Sequence, residues 1–204
     1  MRILKENQLD EAAELLRQGK VIAFPTETVY GLGVVFDDED AYAELCNVKR
    51  RPPEKPFTLM LADINDIDKY AELNKVSRAL VNNFMPGQFT LICKAKSGLP
   101  TWCVSNIGNI GLRISDSELI RELIRKTGKP LLVPSANKSG EKPATTTEEV
   151  ILAFNDELAA VIEGHSISNV PSTIVCVTDK YSEVFREGAV KISDIKRVIE
   201  EENK

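Results

Sequence analysis

The stretch over residues 21–56 constrains the fold more than any other part of the chain. It reads VIAFPTETVYGLGVVFDDEDAYAELCNVKRRPPEKP, with two short apolar segments joined by a turn that contains two threonines. An acidic helix follows, because apolar residues at Ala41, Leu45 and Val48 recur at helical spacing. The stretch therefore predicts two strands and a helix in close succession, and the helix ends in a cationic cluster of Lys49, Arg50 and Arg51.

The cationic cluster has two interpretations. Cations at the C-terminus of a helix are favoured by its dipole, and many such residues are only solvated caps. The three prolines within residues 52–56, however, restrict the backbone that follows. A stiff cationic loop loses little conformational freedom when it binds an anion, so the stretch can form one wall of a pocket for a phosphorylated small molecule. The pattern supports these two interpretations about equally.

Length and charge limit the class of protein. The 204 residues, 43% of them apolar, suffice for a substantial core, and we expect one domain over residues 1–204. The 26 basic and 31 acidic residues give a net charge of -5, so RNA would have to bind a local patch. No apolar run is long enough for a membrane span, and the first twenty residues contain no signal-peptide core. We expect a soluble, cytoplasmic protein that has no membrane partner.

The number and spacing of the cysteines and the single histidine argue against several kinds of disulfide and metal site. Cys46, Cys93, Cys103 and Cys176 are widely separated, which favours reduced thiols in a cytosolic core over a disulfide framework or a zinc site. His165 is the one histidine, so a histidine-rich metal site is impossible. We interpret His165 as an incidental loop residue and predict no metal-ligating residues in the chain.

Hydrophobic patterning predicts an α/β fold. Strands and helices follow one another in mixed order, which favours a single sheet with helices on both sides. The predicted strands cover residues 21–24, 32–36, 57–61, 89–95, 110–114, 130–134, 159–162, 173–177 and 183–186. The predicted helices include a first one with apolar residues from Leu9 to Leu16, the acidic one that ends at the cationic cluster, and those over residues 64–70, 76–84 and 117–127. A further helix, capped by Thr145, Thr146 or Thr147, runs to Phe154, and Ser193 caps the last one.

Two further positions are candidates for a pocket. Arg113 lies inside a predicted strand, where a charge is unexpected unless it reaches an edge or a pocket, although alternation alone slightly favours the solvent face. Ser135 and Asn137 follow an apolar strand, and ligands of open α/β sheets bind where strands end. Their side chains can bond phosphate or sugar oxygens, but an ordinary turn is an equally common reason for this pattern.

The common phosphate-binding motifs are absent. The chain contains neither the glycine-rich P-loop sequence nor a Gly-x-Gly-x-x-Gly segment after a strand. A nucleotide would therefore be held by side chains from separated loops.

Five segments together resemble the YrdC family, also called TsaC, of threonylcarbamoyl-AMP synthases. They occur in the family's order over nearly the whole chain, and five in register are far more specific than any one. They are PTETVYGL at 25–32, KRRP at 49–52, PSANKSG at 134–140, PSTIV at 171–175 and REG at 186–188.

The resemblance implies one YrdC-like domain over residues 1–204, with a twisted, mixed and mostly parallel sheet flanked by helices around a basic concave pocket. It implies a nucleotidyltransferase that condenses L-threonine, bicarbonate and ATP, usually with magnesium, into threonylcarbamoyl-AMP and pyrophosphate. A partner transferase would then pass the threonylcarbamoyl group to tRNA.

The resemblance also implies roles for individual residues. Lys49 and Arg51 would be catalytic. ATP would be bound by Lys49, Arg51, Ser135, Asn137 and Arg186. Threonine would be bound by Thr26, Arg113 and Ser172.

Two departures from the family pattern keep alternatives open. Many relatives have a histidine soon after the Lys-x-Arg pair, whereas residues 57–60 read FTLM, which is closer to the YciO paralogues of uncertain activity. Residues 163–166 read EGHS in place of a glycine-rich segment. The alternatives are a YciO-like enzyme and a non-catalytic module that binds RNA through residues 49–55, and weak binding of tRNA or double-stranded RNA is also compatible with the synthase.

Overall fold

The computed structural model describes residues 1–52 and 56–202. Residues 53–55, which belong to the predicted stiff loop, lie outside the described residues. The strands are β1 Arg2–Leu4, β2 Ile22–Phe24, β3 Gly31–Val35, β4 Leu59–Leu61, β5 Ala71–Glu72, β6 Phe89–Ala95, β7 Asn109–Ile114, β8 Leu131–Leu132, β9 Ala160–Ile162, β10 Thr173–Val177 and β11 Ser182–Arg186. The α-helices are α1 Leu9–Arg17, α2 Glu39–Lys49, α3 Ile67–Tyr70, α4 Lys75–Phe84, α5 Glu118–Thr127, α6 Thr147–Phe154 and α7 Ile192–Glu202.

The strands form one mixed sheet, as the sequence predicts. Its order is β1-β9-β2-β3-β8-β4-β7-β6-β10-β11, and β5 pairs with β6 outside this path. The pairs β1–β9, β2–β9, β4–β7 and β6–β10 are parallel. The other pairs between described strands are antiparallel. Sequence neighbours are often separated in this order, so the sheet brings distant segments of the chain together.

Helices cover both faces of the sheet, and each face has its own apolar cluster. On one face, α1 and α5 contribute Leu16 and Leu123 to a cluster with Phe24 and Met60. On the other face, α2, α4, α6 and α7 pack against strand residues such as Leu59 and Leu112. The predicted placement of helices on both sides is therefore confirmed.

The ends of the helices follow standard capping chemistry. The Asp38 side chain accepts the amide of Ala41 at the start of α2, and Thr146 accepts the amide of Glu149 at the start of α6. Gly128 ends α5 with a φ of 80°, in the left-handed region that glycine adopts without strain. These caps fix where α2 and α6 begin and where α5 ends, and the predicted bounds of α5 hold within one residue.

The structure corrects the sequence prediction at four places. Strand β1 was not predicted, because only Leu4 of its three residues is buried and the alternation is too short to detect. Strand β5 was not predicted either, because it has only two residues. Ser193 lies inside α7 and does not cap it. The predicted helix over residues 64–70 is divided into a 3-10 turn, Ile64–Asp66, and α3, because the Asp63 side chain accepts the amide of Asn65 and starts the turn. No helix in the described part of the chain is both long and apolar enough to cross a membrane.

Candidate functional site

A cavity of about 400 Å³ lies on the part of the sheet that α1 and α5 do not cover. The register of the strands determines which residues form the floor of this cavity. Met60 on β4 is paired with Arg113 on β7, and Gly111 on β7 is paired with Ile92 on β6. Because neighbouring strand residues point to opposite faces, Leu59 and Leu112 enter the core while these paired residues face the cavity.

The walls of the cavity are loops from distant parts of the chain. Thr26 comes from the β2–β3 turn, Gly31 is the first residue of β3, and Ser135 follows β8. A Cβ at Gly31 would lie 2.7 Å from Val133, so the glycine permits the close approach of these two walls. The other lining residues are Thr28, Val29, Tyr30, Arg51, Pro56, Phe57, Thr58, Thr90, Ser105, Asn109, Val133, Pro134, Pro143, Pro171, Ser172, Ile174 and Arg186. The lining therefore includes three arginines, and no carboxylate from the described residues is part of it.

Arg113 is buried at the floor of the cavity and is 7% exposed. Its Nη2 donates to Glu27 Oε1 at 2.5 Å and to Thr28 Oγ1 at 3.1 Å. The alternation of β7 did place Arg113 opposite Leu112, but loops cover that face and separate it from bulk solvent. The solvent-face interpretation is therefore wrong, and Arg113 is in the cavity.

Arg186 and Ser172 meet near Arg113. Arg186 Nε and Nη2 donate to the Ser172 carbonyl at 3.1 and 2.9 Å. The Ser172 hydroxyl lies 2.8 Å from Thr90 Oγ1, a hydrogen bond in which either oxygen can donate. Burial, together with the nearby Arg113 charge, lowers the pKa of Arg186. Two guanidinium groups that lie close together, one of them buried, favour an anion between or beside them.

Arg51 lines another part of the cavity, directly after α2. Its Nη2 donates to the Pro56 carbonyl at 3.2 Å, and its guanidinium lies 4.9 Å from the centre of the Phe57 ring. Phe57 in turn packs edge-on against Tyr42 of α2, at 5.9 Å between ring centres. These contacts fix the direction of the Arg51 side chain.

Lys49 lies beneath the loop that follows β8. Its Nζ donates to the carbonyls of Ser135 and Asn137, each at 2.6 Å, and to Asn137 Oδ1 at 2.9 Å. Lys49 and Asn137 are buried and do not line the cavity, whereas Ser135 does. Burial lowers the pKa of Lys49 to about 8, and the positive charges of Arg51 and Lys138 add to this effect.

Thr26 combines turn chemistry with a place in the cavity wall. Its hydroxyl donates to the Val29 carbonyl at 2.7 Å and accepts the amide of Thr28 at 3.1 Å. The ordinary turn interpretation of Thr26 and Thr28 is therefore confirmed, and both residues also line the cavity. Eight predicted site residues are thus divided between the cavity lining, which holds six of them, and the layer beneath it, which holds Lys49 and Asn137.

Sequence reasoning missed Glu27 and Thr90. Thr90 could have been found, because it lies two residues from Ile92 and therefore faces the same side of β6. Glu27 carried no such signal, since its role depends on a partner 86 positions away in the chain. His165 is exposed and outside the lining, and the four cysteines are free and buried, as the sequence predicts.

A sequence model of the Sua5/YciO/YrdC family, described as "Telomere recombination", matches residues 14–188. The chain belongs to this family, and all five motif segments lie within the matched residues.

Individual relatives agree with this assignment. The chain is 33% identical over 195 residues to the threonylcarbamoyl-AMP synthase of Bacillus subtilis, which covers 94% of this chain and 56% of that protein. It is 33% identical to a putative threonylcarbamoyl-AMP synthase of Methanocaldococcus jannaschii, over 95% of this chain and 94% of that protein. The chain therefore spans about half the length of the first relative and nearly all of the second.

Solved structures of the family have the same fold. The crystal structure of Sua5 from P. abyssi complexed with L-threonine superposes with a TM-score of 0.91 at 29% identity, covering 98% of this chain and 61% of that one. The crystal structure of YciO from E. coli superposes with a TM-score of 0.86 at 26% identity, covering 95% and 98%.

Proposed function

We propose that this protein is a threonylcarbamoyl-AMP synthase, which condenses L-threonine, bicarbonate and ATP into threonylcarbamoyl-AMP and pyrophosphate. One observation carries the proposal. Each of the five motif segments supplies at least one residue to the same 400 Å³ cavity, represented by Thr26, Arg51, Ser135, Ser172 and Arg186. Relatives that bear this name, and a family structure complexed with L-threonine, support the choice of substrates.

The arrangement of charges suggests where each substrate binds. We assign ATP to Arg51, Ser135 and Arg186 in the lining, supported from beneath by Lys49 and Asn137. Lys49 adds a buried charge below the phosphates and holds the loop that presents the Ser135 hydroxyl. We assign the threonine carboxylate to Arg113, with Thr26 and Ser172 beside it. Arg186 contacts Ser172, so it would lie where the two substrates meet.

The reaction suits this set of residues. The amine of threonine attacks the carbon of bicarbonate and water leaves, which gives a carbamate. A carbamate oxygen then attacks the α-phosphorus of ATP while pyrophosphate leaves. This route needs no covalent enzyme intermediate, so catalysis reduces to alignment and to stabilisation of the developing charge. The planar Arg51 can contact two phosphate oxygens at once, and the buried Lys49 supplies charge in a region of low polarity.

Magnesium would enter with the nucleotide. Within residues 1–52 and 56–202, no three His, Cys, Asp or Glu side chains lie together as a metal-binding group. Magnesium is commonly bound through substrate phosphates and few protein ligands, which fits such a lining. The ion would neutralise part of the triphosphate charge.

The proposal extends to compartment and partners. The four free, buried thiols suit a reducing cytoplasm. The mixed anhydride product is reactive, so a downstream threonylcarbamoyl transferase must receive it, and the acceptor would be tRNA. Direct binding of tRNA or double-stranded RNA would have to use a local basic surface, given the net charge of -5.

Release of pyrophosphate from ATP tests the proposal. Purified protein is supplied with magnesium and bicarbonate, with L-threonine, with L-serine or with neither amino acid. We expect release that requires bicarbonate and is greatest with threonine.

Two results would contradict the synthase. Folded protein that binds ATP but releases no threonine-dependent pyrophosphate would favour a YciO-like activity. Salt-sensitive RNA binding without any release would favour the RNA-binding module.

A further inference from the structure

Glu27 is a buried carboxylate that the proposed reaction does not use. It lies in the turn between β2 and β3, is 2% exposed and is absent from the cavity lining. Its neighbours Thr26 and Thr28 do line the cavity. A charge is rarely buried in this way unless a partner compensates it.

Both carboxylate oxygens of Glu27 have partners. Oε1 accepts Arg113 Nη2 at 2.5 Å, and Oε2 accepts a short hydrogen bond from the hydroxyl of Ser115, which is fully buried. Ser115 lies two residues after Arg113, just beyond the end of β7. The network therefore ties the turn to the end of the strand that carries Arg113.

The Arg113 guanidinium is only partly paired within the protein. Nη2 is held by Glu27 and Thr28, but Nε is buried and has no hydrogen-bond partner among the described residues. Buried donors in native proteins nearly always have a partner, so an unpaired one on a cavity-lining side chain indicates that a ligand or water completes it. A carboxylate oxygen can accept a charge-assisted hydrogen bond from this Nε–H group.

We propose that Glu27 is a positioning residue that holds Arg113 through Nη2 and leaves the Nε–H group for the carboxylate of the amino-acid substrate. This inference rests on the proposed function.

The variant Glu27→Gln tests this role while preserving shape. The amide oxygen can still accept from Arg113, and the amide nitrogen can donate to Ser115, so the fold should be retained. Glu118→Gln is the matched control, because Glu118 forms ion pairs with Arg121 and Arg125 on the surface. Calorimetric titration measures the Kd for L-threonine and for ATP, and thermal denaturation measures stability.

We expect Glu27→Gln to raise the Kd for threonine about tenfold or more, because charge-assisted hydrogen bonds to Arg113 weaken. The Kd for ATP and the Tm should match those of Glu118→Gln. An unchanged Kd for threonine would overturn the proposal. A parallel loss of threonine binding, ATP binding and Tm would overturn it as well, since it would indicate a purely structural role.

A second measurement separates this inference from the proposed function. The Nε–H group of Arg113 gives an NMR signal in ¹⁵N-labelled protein, assigned by its loss in Arg113→Lys. We expect this signal to shift and broaden in Glu27→Gln and not in Glu118→Gln. If the wild-type protein bound no threonine, the proposed function would fail, and an unchanged Arg113 signal in Glu27→Gln would then reject the positioning role independently.

Discussion

Arg50 and Arg51 are adjacent and carry the same charge, but their surroundings differ. Arg50 is exposed and ends α2 with a φ of 49°, a left-handed conformation that suits glycine better. Arg51 is half-buried against Phe57 and lines the cavity. A sequence pattern cannot tell the two apart, whereas the structure assigns them different roles.

This difference gives a matched pair of variants. Arg51→Ala should lower kcat/KM for pyrophosphate release by about a hundredfold or more, because a preorganised charge near the transferring phosphate is lost. Arg50→Gly removes the same charge and also removes the strain of a left-handed backbone at a non-glycine residue. Activity should therefore be unchanged, and the free energy of unfolding should rise by about 0.5–1 kcal/mol. Steady-state kinetics and urea denaturation measure both. Equal losses in the two variants would mean that only the overall charge of the cluster matters.

The lowered pKa of Lys49 predicts opposite pH dependences for the stability of the protein and for its affinity for ATP. Burial lowers the pKa of this lysine to about 8, below the value in the unfolded chain. From pH 8 upward the unfolded chain binds more protons than the folded one, so the stability of the ligand-free protein should rise with pH. ATP binding favours the charged ammonium, so the affinity for ATP should fall over the same range, by at most about tenfold per pH unit.

Denaturation and ATP titrations between pH 7 and 9.5 measure the two trends. Lys49→Arg is the control, because arginine stays charged throughout this range. Both trends should disappear in this variant. If they persisted, another group would be the one that titrates.

At the scale of elements, Gly188 explains how two motif segments are brought together. A Cβ at this position would lie 2.1 Å from the Pro171 carbonyl oxygen and 2.7 Å from the Thr173 nitrogen. The Gly188 amide also donates to Thr173 Oγ1 at 2.9 Å. The segment after β11 therefore packs directly on the backbone that carries Ser172.

Gly188→Ala should separate these segments. Because the contacts are with backbone atoms that cannot rotate away, we expect a loss of about 1–3 kcal/mol in the free energy of unfolding and weaker substrate binding. Gly140→Ala is a useful comparison, since a Cβ there meets nothing within 4 Å although its φ of 90° adds some strain. Chemical denaturation of both variants measures the difference. A Gly188→Ala protein as stable as Gly140→Ala would contradict the packing argument.

The elements themselves were largely predictable from sequence. Strands β6 and β10 match their predicted ranges, because their apolar alternation is long and turn residues bound it. Strand β1 was missed because its pairing partner, β9, lies far away in the chain and three residues carry too little pattern. Pairing order depends on contacts between distant segments, so local periodicity could not give it.

At the scale of the whole molecule, the sequence motifs identified residues of the cavity walls but not the buried contacts that hold these residues in place. Motif residues such as Ser135 and Ser172 were recognisable because they occur in characteristic segments. The alternation of β7 placed Arg113 on the correct face of its strand, yet it could not reveal that α1 and α5 leave this part of the sheet uncovered. The Glu27–Arg113 pair forms only in that arrangement, so the sequence alone could not predict it either.

The cavity joins segments from residue 26 to residue 186, so its ligands should stabilise the entire fold. A ligand at a hundredfold excess over its Kd adds about 2.7 kcal/mol to the free energy of unfolding if it binds only the folded chain. We expect ATP and L-threonine each to raise the denaturation midpoint. Arg51→Ala should lose the ATP effect while keeping the threonine effect, because Arg51 contacts Pro56 and Phe57 whereas Arg113 pairs with Glu27, so the loss of one side chain leaves the contacts of the other intact. Loss of both effects in Arg51→Ala would mean that the two ligands share one subsite, which would contradict the separate binding regions proposed for ATP and threonine.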